Sequence, residues 1–108
     1  MILVVFRSRF SEQVDGDYRT TDDHLAEKAR AVYGDDLVRV KSYEAEDGER
    51  LTLVWWRNPE TLAQWRADLE HRNAQQQGRD KWYSFYELSV TDVLRTSSTL
   101  EPEAYPAR

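Results

Sequence analysis

The chain has 108 residues, of which 40% are hydrophobic and 32% charged, so it fits one globular domain and not a disordered chain. The formal net charge of -5 argues against nucleic-acid binding, which requires clustered lysines and arginines. The absence of cysteine excludes disulfides, thiolate metal ligands and cysteine nucleophiles.

The first half of the chain predicts a strand, a helix and a hairpin. Arg7 and Arg9, near the end of the first strand, either lean into a polar cavity or emerge into solvent. Simple alternation along the second strand places Leu37 and Arg39 on one face, and Asp47-Gly48 predicts the hairpin turn. The predicted elements are a strand from Ile2 to Phe10, a helix that begins between Gly16 and Asp22 and ends near Tyr33, and strands from Leu37 to Glu46 and from Leu51 to Trp56.

The second half predicts a capped helix and a long strand. Asn58-Pro59-Glu60 begins the helix, because Asn is a favoured N-cap, Pro suits the first position and Glu complements the positive helix end. The apolar stripe stops at Leu69, so a short extra helix or a kinked continuation is expected up to Gly78. The last strand is predicted from Lys81 to about Thr96, and the inward helix stripe comprises Leu62, Trp65 and Leu69.

The order β-α-β-β-α-β predicts an α+β fold of the ferredoxin-like type. Two βαβ units with right-handed crossovers give a four-stranded antiparallel sheet with the helices on one face. The other face would be bare and would carry aromatic side chains, so a homodimer that packs sheet against sheet is expected. Residues 1–96 are predicted to form the domain and residues 97–108 a tail or arm.

The chain lacks the familiar short motifs of catalysis and targeting. It has no phosphate-binding glycine loop, no Rossmann fingerprint, no His-Glu-x-x-His and no nucleophile elbow, so no cofactor and no metal site are predicted. No membrane-spanning run and no signal core is present, and a cytoplasmic protein is expected. His24 lies among acidic residues and is expected to be exposed without a functional role.

The remaining candidates lie around the second helix and the last strand. His71 and Gln75 share a helical face, and His71 is either a surface histidine near a helix end or part of a pocket. Trp65 is either core or pocket wall, and Arg79 is either a solvated charge or a pocket group. Trp82, Tyr83 and Tyr86 are either sheet packing or cavity wall.

The run Glu70–Val90 contains His71-x-x-Ala-Gln-x-x-Gly-Arg-x-x-Trp-Tyr83, which resembles a segment of antibiotic biosynthesis monooxygenase (ABM) domain proteins. The opening strand, the stretch Gly48–Val54 and the helix from Asn58 to Trp65 also fit, so the resemblance covers roughly residues 1 to 96. It implies a dimeric α+β barrel built from two ferredoxin-like protomers.

Relatives in this family carry out two kinds of chemistry, the oxidation of phenols and the degradation of haem. Some relatives oxidise aromatic phenols to quinones with O₂ and no cofactor, and this activity on a planar aromatic compound is the leading hypothesis. A non-catalytic dimeric barrel that binds a small molecule is the alternative. By position, the resemblance nominates His71 and Arg79 as catalytic and, as substrate-binding residues, Trp65, Gln75, Trp82, Tyr83 and Tyr86.

Haem degradation, the chemistry of other relatives, comes third. It relies on a histidine of the second helix as iron ligand and on an asparagine of the first strand. His71 lies earlier on the helix than that ligand, and Gln75 is nearer to the required place. The first strand offers Arg7, Ser8 and Arg9 and no asparagine.

Overall fold

The computed structural model describes residues 1–99, and the predicted order of strands and helices is confirmed. Asn58 caps the second helix through its side-chain oxygen, which accepts from the backbone N–H of Glu60, and Pro59 occupies the first turn, as the sequence predicts. The elements are β1 (Ile2–Phe10), α1 (Gly16–Tyr33), β2 (Leu37–Glu44), β3 (Arg50–Trp56), α2 (Pro59–Ala67), α3 (Leu69–Gln77) and β4 (Tyr83–Asp92).

The four strands form one antiparallel sheet in the order β2-β3-β1-β4, which is the ferredoxin-like arrangement. β1 is central, and it pairs with β3 from Ile2 to Ser8 and with β4 from Ile2 to Phe10. This central position explains why the first half of β1 is apolar on both faces, because a central strand is covered on both edges and packed on its helix side.

One face of the sheet packs against the helices. Residues that oppose each other across the ladder share a face, so Val4, Val54 and Val90 form one row on this side. The largest side chain that is almost fully buried is Trp56, at 2% exposure. The buried core consists of Val4, Ala29, Leu37, Trp56, Leu62 and Trp65.

The predicted face of Leu37 is wrong because β2 contains a bulge. Leu37 pairs with Trp56, whereas Arg39 pairs with the next residue of β3, Trp55. The extra residue, Val38, rotates the start of the strand so that Leu37 joins the core. Simple alternation along a sequence carries no signal for such an insertion.

The second helical region is two helices, one of the two forms expected after the apolar stripe, and Leu69, which was predicted to face inward, is 70% exposed. Asp68 has an extended conformation (φ -60°, ψ 130°), interrupts the helix and caps α3 through a bond from the His71 N–H to its side chain at 3.0 Å. After Gln77 the backbone continues as a π turn from Gly78 to Trp82, so β4 begins at Tyr83 and not at Lys81.

β4 also ends earlier than predicted. Asp92 pairs with Ile2, the first residue of β1, so the ladder has no further partner strand in the protomer. Residues 93–99 form neither helix nor strand, and the rest of the predicted tail, residues 100–108, lies outside the described residues. Among residues 1–99, no helix is long and apolar enough to cross a membrane.

The sheet face away from the helices is open and has two different halves. Around Val5 and Leu53 it is apolar and half-buried. Towards the hairpin it is charged, where Arg7 binds Glu49 at 2.8 Å and Glu87 at 3.2 Å. Arg7 and Arg9 therefore lie on this face and do not enter a cavity on the helix side. The aromatic side chains of the open face are Tyr43, Trp55 and Phe85.

Candidate active site

A cavity of about 430 Å³ lies between the helix-facing side of the sheet and the three helices. Its floor comes from alternate residues of β1, β3 and β4, and its walls come from the helices and the π turn. A volume in this range is typical of small-molecule sites. The cavity is lined by all seven residues nominated from the sequence: Trp65, His71, Gln75, Arg79, Trp82, Tyr83 and Tyr86.

His71 is held in one orientation and one tautomer. Its ring stacks on Trp65 with the centroids 4.4 Å apart and the planes 14° from parallel. Its Nδ1 lies 3.1 Å from the backbone carbonyl oxygen of Trp65. A carbonyl only accepts, so Nδ1 carries the hydrogen and Nε2 is the unprotonated nitrogen of the neutral ring. Burial lowers the pKa of His71 below its ordinary value of 6.5, which favours this neutral form.

The helix break at Asp68 places His71 at the start of α3. Asp68 accepts from the His71 backbone N–H, and Lys28 of α1 pairs with the same carboxylate at 2.8 Å. The Lys28 ammonium lowers the pKa of Asp68. His24, which is exposed, contacts Glu70 at 2.5 Å and lies outside the cavity lining. These contacts hold α3 against α1. Of the two histidines, only His71 lines the cavity.

Trp82 closes the π turn and carries a polar atom without a partner. The residue is 4% exposed, and its Nε1 is buried with no hydrogen-bond partner among the described residues. A buried N–H without an acceptor costs about 1–3 kcal/mol, so its retention in a cavity wall needs a reason. π turns within helical segments occur frequently at functional sites.

Tyr83 lies at the centre of an aromatic cluster on the cavity wall. Its ring is 5.4 Å from Phe6, 6.0 Å from Phe10 and 6.2 Å from Tyr18, measured between centroids. Burial, with a further contribution from Tyr18, raises the pKa of Tyr83 above its usual 10. The phenol therefore stays protonated at neutral pH, and its hydroxyl is hydrogen-bonded to Tyr18.

Gly78 allows the Tyr83 ring to lie against the start of the π turn. A Cβ at this position would come within 2.7 Å of Cε2 and 2.9 Å of Cδ2 of the ring. The φ of Gly78 is -59°, so the glycine is needed for this close approach and not for a left-handed backbone. The sequence indicates a glycine here but not its reason.

Arg79 occupies the rim of the cavity. It is exposed, and its guanidinium donates to Gln76 Oε1 at 2.8 Å, while Gln76 in turn donates to Asp80 at 2.9 Å. The side chain is thus oriented by a neutral amide and not by a carboxylate, which leaves its charge available to a ligand.

Several cavity residues were missed from the sequence. Arg50 and Ser8 face each other across the β1–β3 ladder on the cavity side, and α1 contributes Tyr18 and Asp22. Alternation along β1 and β3 marks the shared face of the strand residues, but only the sheet order shows that this face borders a cavity. Helical periodicity extends the inward face of α1 back to Tyr18, but no periodic signal singles out Asp22.

The cavity is open along β4. Tyr86, Leu88 and Val90 line it and are each between 44% and 45% exposed, because the helices do not extend over this edge strand. Ligand entry is therefore expected along the β4 edge.

Comparison with known proteins identifies the family. A scan against protein-family models gives no match. The Bacillus subtilis (strain 168) protein YqjZ, itself uncharacterized, is 32% identical over 92 residues, which cover 85% of this chain and 78% of YqjZ. The jasmonate monooxygenase ABM of Pyricularia oryzae is 30% identical over an alignment of 112 positions that spans the whole of this chain. This chain covers 52% of that fungal protein, about half its length.

Solved structures agree on the fold. An antibiotic biosynthesis monooxygenase-type protein of Deinococcus radiodurans superposes with a TM-score of 0.73 at 14% identity, over 94% of this chain and 100% of that one. SnoaB, a cofactor-independent oxygenase from Streptomyces nogalater in its N63A mutant, gives 0.68 at 12% identity, over 88% and 94% of the two chains. The chain belongs to the antibiotic biosynthesis monooxygenase domain family.

Proposed function

We propose that the protein is a cofactor-independent oxygenase that oxidises a planar phenol-type molecule with O₂. The observation that carries the proposal is the neutral, oriented His71, whose Nδ1–H is bound to the Trp65 carbonyl. A base of this kind in an apolar cavity accepts the proton of a phenol and converts it to an electron-rich phenolate. The phenolate is the reductant that reacts with O₂, so the protein itself needs no redox group.

The surrounding donors would stabilise the anion as it forms. The unpartnered N–H of Trp82 is a buried hydrogen-bond donor, and the half-buried phenol of Tyr83 lies on the same cavity wall. Donors of this type are worth most where water is excluded and where charge develops. Arg79 at the rim adds a positive charge. The Trp65 ring, stacked on His71, is a flat wall for an aromatic substrate.

The proposed reaction balances without a further reagent. Loss of the phenol proton to His71 is followed by electron transfer to O₂ and formation of a C–O bond at the ring carbon opposite the oxygen. The histidinium protonates the resulting peroxide anion to a hydroperoxide, and His71 then accepts the hydrogen of that ring carbon as a proton while the O–O bond breaks and a second carbonyl forms. One phenol and one O₂ give one quinone and one water, and His71 returns its proton to the departing oxygen.

The support for an enzyme of this class includes the family and the activities of two relatives. SnoaB is a cofactor-independent oxygenase, and the fungal relative is a jasmonate monooxygenase. In the haem-degrading relatives an asparagine of the first strand is implied, but here the cavity side of β1 carries Ser8 at the corresponding stretch. Haem chemistry is therefore not the function that the site supports best.

We also propose that the open sheet face forms a homodimer interface, which would give the dimeric α+β barrel. Its apolar half is built from the half-buried side chains of Leu3, Val5, Leu53 and Trp55. An apolar patch of this kind on a small protein marks an interaction surface. A cytoplasmic location stays a prediction from the sequence.

Oxygen consumption with a panel of phenols, hydroquinones and jasmonate tests the function. We expect quinone formation from a phenol with one O₂ consumed per product, and a loss of about 10²–10⁴-fold in His71→Gln, which is the usual contribution of a general base. His24→Gln, which changes an exposed histidine outside the cavity, is the matched control and should retain full turnover. Binding without turnover across the whole panel would instead support the non-catalytic binding protein.

A further inference from the structure

The cavity has an excess of positive charge that the fold does not neutralise. Three arginines line it, Arg50, Arg66 and Arg79, against a single carboxylate, Asp22. Within residues 1–99, none of the three arginines takes part in an ion pair, although Arg7 and Arg9 on the other sheet face are both paired. This excess is found in a protein with a net charge of -5. The cavity therefore carries a local positive charge within an acidic protein.

Arg50 is the arginine with the most confined position. It is half-buried at the first residue of β3, opposite Ser8, which is 3% exposed. Its guanidinium carbon lies 4.9 Å from the centroid of the Phe10 ring, and its charge opposes the rise in the pKa of Tyr83. Glu44 lies opposite Arg50 in the β2–β3 ladder but forms no ion pair with it. A partly desolvated guanidinium held on an aromatic face and without an ion-paired carboxylate is well suited to an anionic ligand.

A side lobe extends from the cavity beneath α1. It measures about 170 Å³ and shares walls with the main cavity at Val54, Trp56 and Trp65. Space of this size holds roughly five to six groups of water size, at about 30 Å³ each. Asp22, Arg30, Thr52 and His71 are its polar lining residues. Those that belong to the lobe alone are mostly small or apolar: Ala26, Ala29, Arg30, Leu37 and Val40.

The two features lie towards opposite ends of β3. Arg50 is the first residue of the strand, and Trp56, the last, borders the lobe. At about 3.3 Å per residue Trp56 is roughly 20 Å from Arg50, whereas Thr52, which also lines the lobe, is only roughly 7 Å away. A ligand with its charge at Arg50 therefore reaches the lobe by extending along β3 past Thr52.

We infer that the site takes an amphiphilic aromatic anion, with a carboxylate or phenolate at Arg50 and a short apolar substituent in the lobe beneath α1. This inference deepens the proposed function by naming the substrate class, and it rests on that function only for the turnover of the ligand. The ring between the two ends lies in the main cavity, where Trp65 and Trp82 form the walls. Arg50 and Ala26 are then the residues that determine specificity.

Calorimetric titration with three matched probes tests the two ends separately. The probes are para-hexylbenzoate, the neutral para-hexylbenzamide and unsubstituted benzoate. We expect para-hexylbenzoate to bind at least about tenfold more tightly than either of the others, which corresponds to about 1.4 kcal/mol. Equal affinity for the acid and the amide would overturn the anionic end, and equal affinity for the two benzoates would overturn the apolar end.

Matched variants assign each preference to its residue. Arg50→Gln is expected to abolish the preference for acid over amide, while Arg19→Gln, an exposed arginine of α1 outside the cavity, should leave it intact. Ala26→Leu should abolish the gain from the hexyl group, while Ala63→Leu adds the same atoms at an exposed site of α2 and should have no effect. Should Ala26→Leu fail to fold, Val40→Phe fills the lobe from the sheet side.

The readout separates this inference from the proposed reaction. If the probes bind as expected and no ligand of this class consumes O₂, the oxygenase proposal fails and the substrate class stands. If neutral phenols are oxidised and the Arg50 and Arg19 variants show the same affinities, the inference fails and the oxygenase proposal stands.

Discussion

His71 is held in the neutral form by effects that act on different atoms. Burial of the ring disfavours the imidazolium, whereas the hydrogen bond to the Trp65 carbonyl fixes the remaining proton on Nδ1. The carbonyl bond alone would raise the pKa, and burial outweighs it. The result is a nitrogen that accepts protons at neutral pH without first losing one.

The low pKa of His71 predicts a pH-dependent stability. The unfolded chain, with a His71 pKa near 6.5, binds a proton more readily than the folded protein. The contribution of His71 to the free energy of unfolding is therefore fully present above that pH. It is lost as the pH falls through 6.5 towards the lower folded pKa, below which no further loss occurs. Urea unfolding between about pH 5 and pH 8 should show this slope in the wild type and a smaller one in His71→Gln. Parallel curves for the two proteins would contradict the assignment.

Trp82→Phe tests whether the unpartnered indole N–H serves a ligand. We expect turnover to fall by about 10²–10³-fold, the usual cost of removing one donor to a developing anion. Trp56→Phe, which trims another wall of the same cavity, should lower turnover much less. The free energy of unfolding should fall less for Trp82→Phe than for Trp56→Phe, because the former also removes an unsatisfied buried donor. Equal kinetic effects would assign Trp82 a packing role only.

At the level of elements, the sequence predicted what local chemistry determines. Asn58 and Pro59 mark the start of α2, and the polar stretch after Leu69 indicates the separate helix α3, although Leu69 itself does not face the core. The bulge at Val38 and the π turn after Gln77 were not predicted, because each is an added residue or a shifted hydrogen bond that leaves composition and period unchanged. Asp22 of α1 was not predicted either, because only tertiary packing brings this residue to the cavity.

Gly78→Ala tests the contact between the π turn and Tyr83. Alanine is the better helix former, by up to about 1 kcal/mol, and the backbone at Gly78 is helical. The new methyl group would nevertheless lie 2.7 Å from the Tyr83 ring, so we expect a net loss of about 1–3 kcal/mol in unfolding free energy, with weaker ligand binding. Gly16→Ala, where nothing lies within 4 Å, is the control and should be neutral or slightly stabilising. A stabilised Gly78→Ala would show that the ring moves freely.

At the scale of the whole molecule, the sheet separates two surfaces. Neighbouring residues of β3 alternate between the cavity and the open face, as Val54 and Trp55 do. The sequence predicted the fold and the stretch that carries most of the cavity wall, because alternating strands and helix caps are local signals. It did not predict Arg50 and Ser8 as cavity residues, because their role depends on which strands become neighbours.

Leu53→Asp tests the proposed dimer. A carboxylate in the apolar half of the open face would be buried without a partner on association, so we expect a shift from twice the monomer mass to the 12.8 kDa of one chain. Light scattering after gel filtration measures that mass. Val32→Asp, at a 61% exposed position of α1, adds the same charge on the helical side and should leave the assembly unchanged. A monomeric wild-type protein would contradict the proposed interface.

The separation of the two sheet faces also divides the intrinsic fluorophores of the protein. Of its four tryptophans, Trp56, Trp65 and Trp82 line the cavity, and Trp55 alone lies on the open face. Emission from the wild type therefore mixes two signals. In Trp55→Phe, every remaining tryptophan borders the cavity, so quenching in that variant reports occupancy alone, and the difference from the wild type reports the environment of the open face.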